Sequence, residues 1–232
     1  MFKKPMDPQK LALLEAALNH VPFDGWSKQT FDAAVTETEM NPVHAATLCP
    51  RGAVDLAIAY HLQGDAAMIA ALDAADMTDL RFRDKVALAI RLRLDAVPDK
   101  EAVRRGSTLF ALPHMAPDGA KLIWGTADAI WTALGDTSRD VNWYTKRATL
   151  SGVYASVVLF WLGDDSIDAQ ATHDFIDRRI DNVMQFEKVK AGVRDNPAFK
   201  PITGPFVRML SAIKAPTKIP DVDLPGMWRD PS

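Results

Sequence analysis

One cysteine, Cys49, in a chain of 232 residues leaves no intramolecular disulfide framework and no Cys-based zinc site, and a reducing compartment suits it. Positive charge is also scarce. The formal net charge is −3, so no global basic field draws the chain to nucleic acid. Long apolar runs are missing: the richest stretch, Gly152 to Gly163, is broken by Ser156 and falls short of the roughly 20 residues a spanning helix needs. The N-terminus, MFKKPMDPQK, has two lysines but no apolar segment behind them, unlike a secretory signal. There is no G-x-G-x-x-G, P-loop, G-x-S-x-G or H-E-x-x-H pattern. The remaining composition, 48% hydrophobic and 25% charged, is that of an ordinary globular protein with one large domain and room for a small appendage.

Nearly every segment with a readable period has that of a helix. Leu11, Leu14, Leu18 and Val21 fall on one stripe. Ser27, with Trp26 before it and Phe31 four positions after it, is placed to cap a helix over about 28–38 with a hydrophobic staple. Asn41-Pro42 supplies a cap and an N1 proline for another short helix ending by Pro50. Residues 1–50 thus read as a three-helix, helix-turn-helix head. Longer helices are expected over about 53–75, weakened at Gly64, and then over 79–97, 100–112, 117–134, 139–163 and 167–190. Phe82, Val86, Ile90, Arg93 and Val97 share one side of the second of these. No strand pattern appears, and the expected fold is all-α: a head over 1–50 and a helical bundle over 51–190.

The C-terminal 36 residues differ, with seven of the fifteen prolines. A linker over 191–203 and a tail over 215–232 bracket one helical candidate, 204–214, with Phe206, Val207, Met209, Leu210, Ile213 and Lys214. Its apolar stripe either docks on the bundle or lies on a membrane. The Pro-rich tethers and flanking Lys200, Arg208, Lys214 and Lys218 favour an anionic bilayer surface.

Chemical signatures are weak. His61/Asp65 and His114/Asp118 are four apart, but each pair is expected at a helix end or turn, as caps rather than ligands. Cys49, near Arg51 only, reads as packing rather than as a nucleophile. No metal or cofactor is implied, and an enzyme would need carboxylates that converge only in the fold. A helix-turn-helix head before a larger helical domain is the plan of the TetR-type regulators. Yet residues 1–50 hold four Lys, no Arg and six acidic residues, and the would-be recognition helix 42–49 offers only His44 and Thr47 to base edges. A lipid-responsive transcriptional regulator is therefore the alternative reading, with DNA binding not expected.

Residues 135–150, Gly-Asp-Thr-Ser-Arg-Asp-Val-Asn-Trp-Tyr-Thr-Lys-Arg-Ala-Thr-Leu, strongly resemble the signature of the ninth Coq protein family, the accessory lipid-binding proteins of ubiquinone biosynthesis. His20-Val-Pro22, Gly25-Trp26, Leu112-Pro-His114, Pro117, Gly152-Val-Tyr154 and Asp174 to Ile180 follow the family's order, so the similarity spans roughly 10–190. The resemblance implies a TetR-like fold and a non-catalytic protein that binds isoprenoid quinone intermediates or phospholipid in a cavity of the larger domain. It also implies a C-terminal membrane helix and presentation of substrate to the di-iron demethoxyubiquinone hydroxylase. With no mitochondrial presequence, a bacterial member is expected, cytoplasmic and peripheral on the inner face of the cytoplasmic membrane.

Two groups of residues and a helix pairing follow. Asp140, Asn142, Trp143, Tyr144 and Arg147 lie just after a capping region expected at Thr137-Ser138. Either Trp143 packs inward while Asp140 and Asn142 solvate the helix start, or, as the resemblance implies, the group is a partner surface. Leu109, Phe110, Leu112, Trp124, Ile130, Trp131, Tyr154, Val157, Val158, Trp161 and Phe175 either pack as a core or splay to line the lipid cavity that the resemblance implies. By analogy with TetR-like dimers, the last two long helices are expected to pair in an isologous homodimer.

Overall fold

The capping residues set the helix starts. In the computed structural model, which describes residues 6–195 and side chains as far as residue 183, Asp7 caps α1 (Pro8–Leu18) by accepting from the backbone amides of Gln9 and Lys10. A single turn, α2 (Val21–Asp24), follows. Ser27 caps α3 (Lys28–Glu37) and Asn41 caps α4 (Pro42–Leu48), both as the sequence leads one to expect. The chain continues as α5 (Ala53–Ala74), α6 (Phe82–Asp95), α7 (Lys100–Phe110), α8 (Ala116–Ala133), α9 (Val141–Leu162), a 3-10 turn (Ile167–Ala169) and α10 (Gln170–Asp195). Among the described residues there is no strand, and the all-α expectation holds.

Two apolar clusters organise these helices. One joins α1 to α4 with the first half of α5 and with Ala102 of α7. The other gathers the second half of α5 with α6, α8, α9 and α10 around Met68, Ile90, Ile130, Val157 and Ile176. α5 belongs to both, so its apolar residues tie head to bundle. The first helix packs differently from its expected stripe. Leu13 and Leu14 are fully buried, while Leu11 and Leu18 are half-buried, because α3 and α5 both pack against α1 and widen its buried face.

Helix ends differ by a few residues. α7 stops at Phe110, before Pro113, and a 3-10 turn precedes α10 where one helix was expected. α5 runs unbroken through Gly64. Phe82 at the start of α6 is 47% exposed and stacks on Trp131 instead of joining the core. The segment with Phe206, Val207, Met209, Leu210, Ile213 and Lys214, like the tail behind it, lies outside the described residues. No helix among the described residues is long and apolar enough to cross a membrane.

Candidate functional site

A cavity of about 350 Å³ opens between α5, α6, α7, α8 and α9. Four of the eleven residues expected at a lipid site line it: Phe110, Tyr154, Val158 and Trp161. The others pack elsewhere, because helix geometry sends neighbouring side chains to different faces. Ile130 and Val157 are fully buried in the bundle core, Leu109 packs on the head cluster, and Leu112 is 43% exposed. Trp124 faces Trp143, Trp131 donates its indole N–H to the carbonyl of Lys146, and Phe175 stacks on Phe160.

The cavity is graded along its depth. Ala111, Ala116, Ala120 and Leu159 are exposed at its mouth. Leu122, Ala102 and Tyr154 are buried deeper, beside a polar group that sequence reasoning did not assemble. The Arg93 Nε donates to Asp65 Oδ1 at 2.7 Å, and Arg93 Nη2 donates to the His61 carbonyl at 3.0 Å. Thr126 Oγ1 donates to Asp65 Oδ1 at 2.9 Å. Since the carboxylate can only accept, the threonine proton goes to it. The Thr126 oxygen then accepts from His61 Nε2, 2.9 Å away, which places a proton on that ring nitrogen. Burial alone would push the Arg93 guanidinium down, but Tyr154, Asp65 and Tyr60 around it raise it, so it stays charged. Burial pushes the Tyr154 phenol up to about 12, so it remains neutral at physiological pH.

This group corrects the expectation for His61/Asp65, which lie in the middle of α5 rather than at its end. Gly64 makes the arrangement possible: a Cβ there would come within 2.5 Å of Arg93 Nη1, so only glycine lets the guanidinium lie against the helix. The overlooked signal was Arg93 itself, a lone cation on an otherwise apolar stripe. Cys49, as expected, is buried packing. Trp26, from the loop before α3, reaches the cavity wall and donates its indole N–H to the Ala102 carbonyl at 3.0 Å.

The second site surrounds the start of α9. Gly135, at φ +79°, ends α8 in a Schellman turn: Asp136 N–H donates to the Trp131 carbonyl and Gly135 N–H to that of Thr132. Asp136 then accepts from Lys146 Nζ and Ser138 Oγ at 2.8 Å and from Arg147 Nη1 at 2.9 Å. The Gly-Asp and Lys-Arg ends of the 135–150 segment are thus the two halves of one clasp. Asp140, not Thr137-Ser138, caps α9 by accepting from the Asn142 amide at 3.0 Å. Asp140 and Asn142 are exposed, and Trp143 and Tyr144 are half-buried, edge to face at 4.8 Å. Arg147 departs from its expected surface role. Its side chain is 3% exposed, bridges Asp128 and Asp136, and lies 4.0 Å under the Trp143 ring.

Burial would raise the Asp136 carboxyl, but the hydrogen bonds from Lys146, Ser138 and Arg147 outweigh it and hold the group well below the usual carboxylate range. Ser166 and Thr172 do the same for Asp164. Both folded values lie below the unfolded ones, so their stabilisation is complete above the ordinary aspartate value of about 3.9 and is lost as pH falls below it. The melting temperature is expected to drop between about pH 4 and pH 2, and Asp136→Asn to flatten the drop. An acid profile identical in that variant would remove Asp136 from the account.

Comparison with known proteins finds these similarities. A COQ9 family model matches residues 116–187, which spans α8, the clasp, α9 and most of α10. The chain is 29% identical over 195 residues to a probable mitochondrial ubiquinone biosynthesis protein coq9 of Dictyostelium discoideum, covering 80% of this chain and 63% of that protein. To the mitochondrial ubiquinone biosynthesis protein COQ9 of Xenopus tropicalis it is 30% identical over 183 residues, 74% of this chain and 56% of the relative. The chain thus spans less than two-thirds of the length of either. Among solved structures, a TetR transcriptional regulator from Nitrosomonas europaea superposes with a TM-score of 0.62 at 18% identity, over 75% of this chain and 97% of the other, which shows a TetR-like fold.

Proposed function

We propose that this chain is a member of the COQ9 family and a non-catalytic accessory protein of ubiquinone biosynthesis that carries an isoprenoid quinone intermediate. The observation that carries the reading is the cavity between α5 and α9, walled largely by apolar side chains and open through a rim of Ala111, Ala116, Ala120 and Leu159. Its size sits at the lower end of the range for small-molecule sites, enough for a ring and the first part of a tail.

In this reading the protein works peripherally at a membrane, gripping it with the segment 204–214, and hands its lipid to the demethoxyubiquinone hydroxylase. The half-buried Trp124, Trp143 and Tyr144 rings beside exposed Asp140 and Asn142 supply the aromatic anchors and polar rim of a docking patch for that enzyme. An isologous homodimer through α9 and α10 belongs to the same proposal, supported by Phe160 of α9, 37% exposed where it stacks on Phe175 of α10.

Mass spectrometry of an organic extract of the protein, purified gently from a quinone-producing host, tests the reading. A polyprenylated quinone or its precursor at near-stoichiometric level is expected. An extract without one, from a protein whose melting temperature added quinone does not raise, would overturn it.

A further inference from the structure

α7 makes one side of the cavity, yet Ala102 alone among its residues is fully enclosed. Its two halves are held by different forces. Five hydrogen bonds tie residues 100–105 to other elements. Lys100 Nζ donates to the carbonyls of Trp161 at 3.1 Å and Asp164 at 2.7 Å, and Arg104 Nη2 donates to that of Leu162 at 2.8 Å. These carbonyls lie at and just beyond the C-terminal end of α9, where helical partners run out and cations are favoured. From the head, Trp26 donates to the Ala102 carbonyl, and the Pro22 carbonyl accepts from Arg105 Nη2 at 2.8 Å.

Beyond Arg105 the attachment is apolar. Thr108 Oγ1 donates to the Arg104 carbonyl, and the Ala111 amide donates to the Ser107 carbonyl, both within the helix and its last turn. Among the described residues no hydrogen bond ties 106–110 to another element. Leu109 and Phe110 pack on the head cluster, and Phe110 lies close against Gly119 of α8. A Cβ at Gly119 would come within 2.8 Å of the Phe110 Cβ. Apolar contacts of this kind part and re-form without stranding a polar group, whereas lifting the first half would break five hydrogen bonds at once.

Gly106-Ser107 stands at the boundary between the halves. Sharp helix bends occur at such pairs, because glycine adds backbone freedom and serine competes for backbone hydrogen bonds. The turn after α7 is exposed from Ala111 to His114, and Ala111 and Ala116 edge the cavity mouth. We propose that α7 is a hinged wall: residues 100–105 stay fixed, the helix bends at Gly106-Ser107, and the Phe110 end swings off Gly119 to widen the mouth. The hinge belongs to the empty protein and goes beyond the carrier reading, which gives the movement a use. It also gives the head a task, since Trp26 and Pro22 supply two of the five anchors.

Distance distributions between nitroxide labels in the full chain test the hinge. Thr108→Cys, exposed beyond the bend, is paired with Lys121→Cys on α8, and Gln63→Cys on α5 with Lys121→Cys is the control pair. Cys49 is 1% exposed and takes no label. The otherwise unchanged chain should give a main short 108–121 distance with a longer minor population, and one narrow 63–121 distance. Gly119→Ala wedges against Phe110 and should make the longer population the major one. Gly106→Ala stiffens the helix and should remove it, with folding kept because the new Cβ meets Trp26 Nε1 at an ordinary 3.6 Å. If the wedge prevents folding, the narrowing by Gly106→Ala carries the test alone. A 108–121 distribution that neither variant moves overturns the hinge. So does a 63–121 distribution that moves as much, since the bundle would then be yielding as a whole.

Discussion

Arg93→Met is expected to lower folding stability by about 3–5 kcal/mol, among the largest losses any single substitution in this chain should cause. The Arg93 side chain is 4% exposed and that of Asp65 10%. Removing the guanidinium leaves a buried carboxylate with the Thr126 hydroxyl donating to it and His61 Nε2 at 3.7 Å. The cost is the stranded charge more than the lost attraction, so Arg93→Met combined with Asp65→Leu should recover most of it. Gly64→Ala reaches the same pair from another direction, since its Cβ would meet Arg93 Nη1 at 2.5 Å. Urea denaturation of the single and double variants decides the matter. A double variant no more stable than Arg93→Met alone would mean that Asp65 is not the stranded partner.

The second large effect is expected at the clasp. Arg147→Ala should cost about 3 kcal/mol, toward the lower end for a broken buried ion pair, because Lys146 still neutralises Asp136 at 2.8 Å. Asp128, 45% exposed, can turn to solvent and adds little. The consequence is also local. Arg147 lies under the Trp143 ring and donates to the Trp143 carbonyl at 3.2 Å, so its loss should loosen the aromatic patch together with the first turns of α9. Trp143→Ala, by contrast, removes a half-buried ring and leaves the clasp intact, so it should cost clearly less stability. Thermal melts of both variants, with near-ultraviolet dichroism as the probe of aromatic packing, make the comparison. Equal losses in both would place Trp143, rather than Arg147, at the centre of this region's stability.

Much of the fold was legible because helix starts are local. Ser27, Asn41 and Pro42 act within three residues of themselves, and the structure keeps the helices they begin. The N-cap of α9 was misplaced to Thr137-Ser138 because Ser138 looks like a cap in sequence, whereas in the structure its hydroxyl serves Asp136. The cavity was less legible. Aromatic and large aliphatic residues on α8 and α9 serve core and pocket alike, and a shift of one position turns a side chain by about 100°. Val157 and Val158 show it: the first is fully buried in the core and the second lines the cavity.

Sequence by itself determined the all-helical class, the helix order, the acidic head and the family signature of residues 135–150, since periodicity, caps and motifs act over a few residues. Only the tertiary structure decided which charges are paired and where. Asp65 and Arg93 are 28 residues apart, and Asp65 and Thr126 are 61 apart. No local pattern links them, and they meet because α5, α6 and α8 pack around a common core. Burial is what gives that meeting its energy. In water the same charges would be worth little, while buried among the packed helices they contribute to the stability of the bundle.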